Sequence, residues 1–188
     1  MPLSLIVKGK DAFDYSKEEF VYIKDQEVEL EHCLLAMSRW ESKWKKSFVE
    51  TFSRKDKKIP TKELFSYIQC MVMNDGVDPN FIFCLTPDQT QKIVEYFADQ
   101  KTATTIKHDG PAPARSNEVM TTELIYYYMS QVPLPFEICE RWHFSRLMKT
   151  LEIASIKSQP DKKMNPKAWG SKQSAINAMR RAKLHSKG

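Results

Sequence analysis

The stretch Val28-Glu29-Leu30-Glu31-His32-Cys33-Leu34-Leu35-Ala36-Met37-Ser38-Arg39-Trp40-Glu41-Ser42-Lys43-Trp44 changes its hydrophobic period midway. Val28, Glu29 and Leu30 alternate apolar with polar, the two-residue period of a half-buried strand. From about Glu31 the period lengthens. Leu34, Met37, Trp40 or Glu41, Trp44 and Phe48 recur at steps of three and four and make one apolar stripe along a helix. Strands therefore belong before this point and helices after it.

Working back towards the start, Leu3-Ser4-Leu5-Ile6-Val7 reads as one strand. Phe20-Val21-Tyr22-Ile23 and Val28-Glu29-Leu30 read as two more, around a turn at Asp25-Gln26. A hairpin or three-stranded sheet of this size is marginal alone and is expected to lie against the helices.

Working forward, Ser53 to Pro60 is a basic loop, with Arg54, Lys55, Lys57 and Lys58. A helix after Pro60-Thr61 carries Leu64, Phe65, Ile68, Met71 and Val72 and stops at Asn74-Asp75-Gly76. Thr86-Pro87-Asp88-Gln89 is a capping box. Thr86 is the N-cap, Pro87 suits the first helical position, Asp88 opposes the positive helix end, and Gln89 returns to the cap. That helix runs through Ile93, Val94 and Phe97 to about Asp99. Gln100 to Asn117 is a long loop, longer than ordinary connections, and reads as mobile or as a contact surface.

Thr121-Thr122 opens a helix with Leu124, Ile125, Tyr128, Met129 and Val132 on one stripe, broken by Pro133 and Pro135. A last body helix carries Cys139, Trp142, His143, Leu147, Leu151 and Ala154 and ends by Pro160. A short helix over about Lys172 to Leu184 would follow. The predicted fold is mainly α, with a small N-terminal β-hairpin or sheet packed on a bundle of about five helices and a basic C-terminal tail. Its expected boundary divides a body, residues 1–157, from a tail, residues 158–188.

The charge follows that division. Nine of the 29 Lys and Arg lie from Lys157 onward beside a single acid, Asp161, leaving 20 bases against 23 acids in the rest of the chain. The formal net charge of +5 thus belongs to the tail. With 10 Phe, 7 Tyr and 4 Trp the chain has the material for a core, and only 5 Gly disfavours a fold of tight hairpins. No apolar run is long enough to span a membrane. The opening residues lack the pattern of an export signal. The expectation is an intracellular protein whose Cys33, Cys70, Cys84 and Cys139 are buried free thiols.

Several constellations bear on chemistry. Cys139 and His143 share a helix face four residues apart, and His32-Cys33 is a second pair, but neither has the paired spacing of structural zinc. No GxSxG elbow, GxGxxG loop or GxxxxGK[ST] loop occurs. No cofactor, metal or catalytic activity is therefore predicted. Trp40 and Trp44 alternate with bases in the manner of a surface for single-stranded nucleic acid, yet packing explains them more simply. Tyr126-Tyr127-Tyr128 cannot all face inward, because successive helix residues differ by about 100°. At least one ring must be open to solvent or a partner.

A set of stretches resembles a family of small tailed-bacteriophage proteins, labelled tail assembly chaperones or uncharacterised. They are Val28 to His32 leading into Ser38 to Trp44; Asp78-Pro79-Asn80 with Leu85-Thr86-Pro87; Lys101 to Thr105; Glu123 to Met129; Pro135-Phe136-Glu137 with Trp142-His143; and Lys163-Met164-Asn165-Pro166. The resemblance covers residues 20 to 183, and the chain departs from it at Ser47, where proline is commoner. It implies a helical chaperone in the host cytoplasm that binds the tape-measure protein, keeps its apolar helices soluble and helps recruit tail-tube subunits. Partner contact is then expected at Tyr126 and Tyr127 and at Lys162, Lys163, Lys167, Arg180, Arg181 and Lys183, with self-association a further option. No catalytic residue is implied. Two other readings stay open: a virion component such as a head–tail connector or tail protein, and a nucleic-acid-binding accessory protein. Nucleic acid is disfavoured because the basic excess is not on the body.

Overall fold

In the computed structural model of the chain, residues 2–14, 18–53, 59–106 and 118–158 are described, with the helical positions Ser174, Asn177, Met179 and Arg180. The chain divides into two units, Met1–Ile153 and Ala154–Gly188.

The first unit opens with β1 (Leu3–Val7), β2 (Lys10–Asp14), β3 (Glu19–Ile23) and β4 (Gln26–Leu30). β1 pairs with β4 and β2 with β3, both antiparallel, as two two-stranded sheets. Their registers are continuous. Val7 faces Gln26 and Lys10 faces Ile23, the spacing of one long hairpin interrupted at Lys8-Gly9 and Lys24-Asp25.

At the interruption the ribbon rolls over. Ile23 and Val28 are both fully buried, yet an odd separation puts two residues on opposite faces of a regular strand. Gly9 makes the roll sterically feasible, since a Cβ there would lie 2.1 Å from the Ile23 carbonyl oxygen. Asp25 braces it by accepting from the Gly9 N–H at 2.8 Å and from Lys8 Nζ at 2.9 Å. The outer edge of β4 is covered by the segment after the third helix, where the Glu31 N–H donates to Met71 O and the Met73 N–H to Glu29 O.

The helices are α1 (Leu34–Trp44), α2 (Phe48–Ser53), α3 (Thr61–Cys70), a 3-10 helix (Pro79–Cys84), α4 (Pro87–Ala98), α5 (Thr122–Ser130), α6 (Phe136–Cys139) and α7 (Phe144–Ser158). The capping box forms as the sequence predicts: Thr86 Oγ1 accepts from the Gln89 N–H and Gln89 Oε1 accepts from the Thr86 N–H. Gln89 also donates from Nε2 to Ile6 O, tying α4 to β1.

These helices do not form the bundle of about five expected from periodicity. The fold mixes α and β structure: two small sheets, and eight helical segments among the described residues, several of only one or two turns. The physical reason lies in the breaks. The stripe from Leu34 to Phe48 is two helices, because Lys45 adopts a left-handed conformation (φ 53°) that ends α1. The stripe from Cys139 to Ala154 is likewise cut between α6 and α7, where His143 pairs with Cys33 as an isolated β-bridge. Short segments lack the long side-chain ridges that bundle packing needs.

The principal core joins the base of the hairpin to α1, α3, the 3-10 helix and α4, with Trp40, Tyr67 and Phe81 among its fully buried side chains. A second, smaller core gathers Leu34, Ile125, Met129, Cys139, Leu147 and Leu151. Glu41, itself buried, links the pieces. Its carboxylate accepts from the Phe48 N–H at 2.7 Å, from the Thr122 N–H at 2.8 Å and from the Thr122 hydroxyl. One side chain thus caps the start of α2 and anchors the start of α5.

Trp40 and Trp44 stack within this framework, ring centres 6.1 Å apart. Trp40 donates to Glu63 O and Trp44 to Ser66 Oγ. Trp40 is fully buried and Trp44 half-buried. All four cysteines are free, with Cys33, Cys84 and Cys139 buried and Cys70 half-buried rather than sealed. No described helix is long and apolar enough to cross a membrane.

In the second unit, residues 154–158 complete α7, and Arg180 and Met179 are exposed at helical positions. Lys162, Lys163, Lys167, Arg181 and Lys183 lie outside the described residues, as do 107–117 of the long loop.

Candidate functional site

Two places in the first unit stand apart from ordinary packing. The first is the corner formed by α5 and α6. On α5, Ile125 and Met129 point into the smaller core. At about 100° per residue, Tyr127 then falls opposite the core, while Tyr126 and Tyr128 fall on either flank. The structure follows this geometry. Tyr127 is 59% exposed and Tyr128 40%, whereas Tyr126 is half-buried and donates from its hydroxyl to Glu140 Oε2 at 2.8 Å. Burial and this carboxylate push the Tyr126 phenol up, so it stays protonated.

Across the turn through Pro133 and Pro135, α6 adds Phe136, stacked on Tyr126, and the 60%-exposed Ile138. The corner therefore carries large exposed apolar groups on both helices, and Glu137 and Gln131 nearby in sequence are exposed too. Of the residues expected to meet a partner, Tyr126 and Tyr127 both lie here. The sequence pattern puts Tyr128 on the inward stripe, whereas its flank position exposes it. Ile138 and the exposed part of Phe136 were missed, because a one-turn helix after two prolines has no periodicity to read.

The second place is a cavity of about 340 Å³ beside α2 and α4, walled by Phe48, Phe52, Val94, Phe97 and Phe144. His32 is the one imidazole on its wall. Behind it lies a buried polar network. Tyr67 OH is 2.6 Å from His32 Nδ1. The His143 ring stands 5.3 Å from that of His32, with Nε2 facing Tyr96 O and Nδ1 facing Ser145 Oγ. Tyr96 in turn donates to Glu31 Oε1 at 2.6 Å. Burial, with His143 alongside, pushes the His32 pKa down to about 3. Burial also lowers that of His143. Both rings are thus neutral near pH 7.

The Ser145–His143 pair resembles half of a nucleophile–base arrangement, but the nitrogen that an orienting acid would hold faces a backbone carbonyl instead. Among the described residues, no group of three His, Cys, Asp or Glu is placed to hold a metal ion. Burial raises the Cys33 thiol to about 11 and so suppresses its thiolate.

No family model, curated protein or solved structure matches this chain.

Proposed function

We propose that this protein works by binding another protein, as a tail-assembly chaperone that engages the tape-measure protein in the host cytoplasm. The observation that carries the binding reading is the α5–α6 corner, where Tyr127, Tyr128, Phe136 and Ile138 are all held open to solvent. Tyr127 and Tyr128 touch, and Phe136 stacks on Tyr126, so exposed aromatic groups lie on two adjoining helices. Aromatic side chains of this kind are enriched at protein interfaces. An amphipathic helix laid against the corner would bury its own apolar face there. The specific partner comes from the resemblance of the chain to tailed-phage proteins.

The basic residues from Lys157 onward would raise the rate of encounter with acidic stretches of the partner. Added salt should therefore weaken capture without abolishing it. The experiment is coexpression with the tape-measure protein of the same phage and a pull-down across a salt series, comparing the parent with Tyr127→Ala/Ile138→Ser. The parent should keep that protein soluble and the variant should lose most of the capture. Stoichiometric recovery of this chain in purified particles, with no capture in either form, would instead identify a virion component. Complete loss of binding at moderate salt would point to a purely electrostatic partner such as nucleic acid.

A further inference from the structure

The cavity beside α2 and α4 has a feature that the partner reading leaves unused. Its wall is apolar except at His32 and at Ser53, the exposed last residue of α2, and the neighbours of the buried imidazole fix its state. Tyr67 is fully buried, and its hydrogen bond is to His32 Nδ1 at 2.6 Å. Burial raises the Tyr67 phenol well above its ordinary range, so it remains O–H. A buried hydroxyl hydrogen needs an acceptor, and Nδ1 is the acceptor within reach. Tyr67 therefore donates. The neutral imidazole, having accepted at Nδ1, carries its own proton on Nε2.

That Nε2–H makes no hydrogen bond among the described residues. It is also not sealed off in the protein, unlike Gln26 Nε2, the buried side-chain nitrogen left unpaired. His32 is 9% exposed and lines the cavity, so the accessible part of the ring opens into that space. The result is one buried, oriented donor in a mostly apolar cavity whose other polar side chain is the exposed Ser53, the usual composition of a small-molecule site.

We propose that this cavity binds a small, flat, apolar molecule carrying a single hydrogen-bond acceptor, of the class of aromatic ketones, with its rings among the phenylalanines and its oxygen on His32 Nε2. The chemistry selects each attribute. Phe48, Phe52, Phe97 and Phe144 offer ring faces and edges that favour a planar guest. The buried imidazole donor requires an acceptor, and a neutral imidazole gives no preference for an anion. An apolar cavity of roughly 150 Å³ accommodates benzene, so about 340 Å³ suits a two-ring molecule. This inference stands apart from the tape-measure reading, since it uses a different face and different residues.

The test uses the full chain and a matched pair of probes, 2-acetylnaphthalene and 2-ethylnaphthalene, which share a shape and differ in the carbonyl. In calorimetric or ligand-observed NMR titrations the ketone should bind about fivefold more tightly, the value of one net hydrogen bond. Long-range proton–nitrogen spectra should show His32 protonated at Nε2, with that signal shifting for the ketone and much less for the hydrocarbon. Val94→Trp, placed on the exposed side of α4, should fill the mouth and remove binding of both probes at an unchanged melting temperature. Equal affinity for the two probes, binding of neither, or a proton found on Nδ1 would each overturn the proposal. So would ketone binding that survives Val94→Trp. If that variant does not fold, the paired titration of the parent decides alone.

Discussion

The aromatic centre around Tyr67 and the aromatic corner on α5 and α6 use the same kinds of residue to opposite ends. In the centre, Trp40, Phe48 and Tyr67 are enclosed, with Phe48 and Tyr67 rings 4.2 Å apart. Each polar tip has a partner: Trp40 donates to Glu63 O and Tyr67 to His32. At the corner, Tyr127 and Tyr128 touch each other at 5.8 Å but leave their outer faces bare. Aromatic content therefore does not decide burial here. The centre lies where α1, α2, α3 and α4 converge, so every ring meets another surface. The corner has helix on one side and solvent on the other. A core aromatic must have both its ring and its polar atom satisfied from within; an interface aromatic waits for a second molecule to do this.

That contrast can be tested by substitution, and the largest effect is expected at the centre. Trp40→Ala removes a fully buried indole that contacts Phe48, Phe52 and Trp44. It should cost roughly 3–5 kcal/mol in denaturant unfolding. A loss below about 1 kcal/mol would mean that Trp40 is not the packing centre described.

A smaller loss is expected at the joint between the two regions. Glu41→Gln keeps the shape but replaces one acceptor oxygen with an amide that is itself a donor. Either the Phe48 N–H or the Thr122 pair then loses its acceptor. The cost should be about 1–3 kcal/mol, read from the same unfolding curves.

Acid provides a graded version of the experiment. The folded-state pKa of His32 lies at about 3 against 6.5 for the free side chain. Between these values the unfolded chain binds a proton that the folded chain refuses, so unfolding takes up protons. Stability is then complete above about pH 6.5 and falls as pH drops toward 3, by up to about 1.4 kcal/mol per pH unit for one such group. His143, lowered in the same direction, adds to the slope. Urea melts between pH 7 and 5, above the range in which most carboxylates titrate, should show this decline. A flat profile would mean that the rings are not held neutral by burial.

The smallest stability effect belongs to the corner. Tyr127→Ala should change unfolding by no more than about 0.5 kcal/mol, because the ring covers little. A large destabilisation would place Tyr127 in the core after all.

Much of the local structure was legible in the residues themselves. Thr86 to Gln89 announced a helix start, and the structure forms both reciprocal bonds. Thr121 likewise caps α5, and Leu3–Val7 forms a strand. Less was legible wherever a distant group ended or joined an element. β2 escaped notice because Lys10–Asp14 is polar at three of five positions and is held as a strand by pairing with β3. The turn expected at Asp25-Gln26 is instead the point where the hairpin rolls over, and the hairpin closes between Asp14 and Glu19. On α3 the apolar stripe includes Ile68, which is fully buried, but omits Tyr67, which is buried just as completely. Its burial depends on His32, 35 positions away, accepting its hydroxyl.

What the sequence by itself determined is therefore the short-range content: helix starts, apolar faces, the basic run from Lys157 onward and the impossibility of burying three consecutive tyrosines. These follow from interactions between residues a few positions apart, which the order of side chains specifies directly. Only the tertiary structure decided where the apparent long helices stop, how the hairpin turns its face and which polar groups go inside. Glu41 shows why. In the sequence it is one more charge on a helix, and it becomes a buried joint because Thr122, 81 positions away, arrives to donate to it. A carboxylate in the interior is tolerated only when such donors surround it, and pairing over that distance leaves no trace in the local pattern.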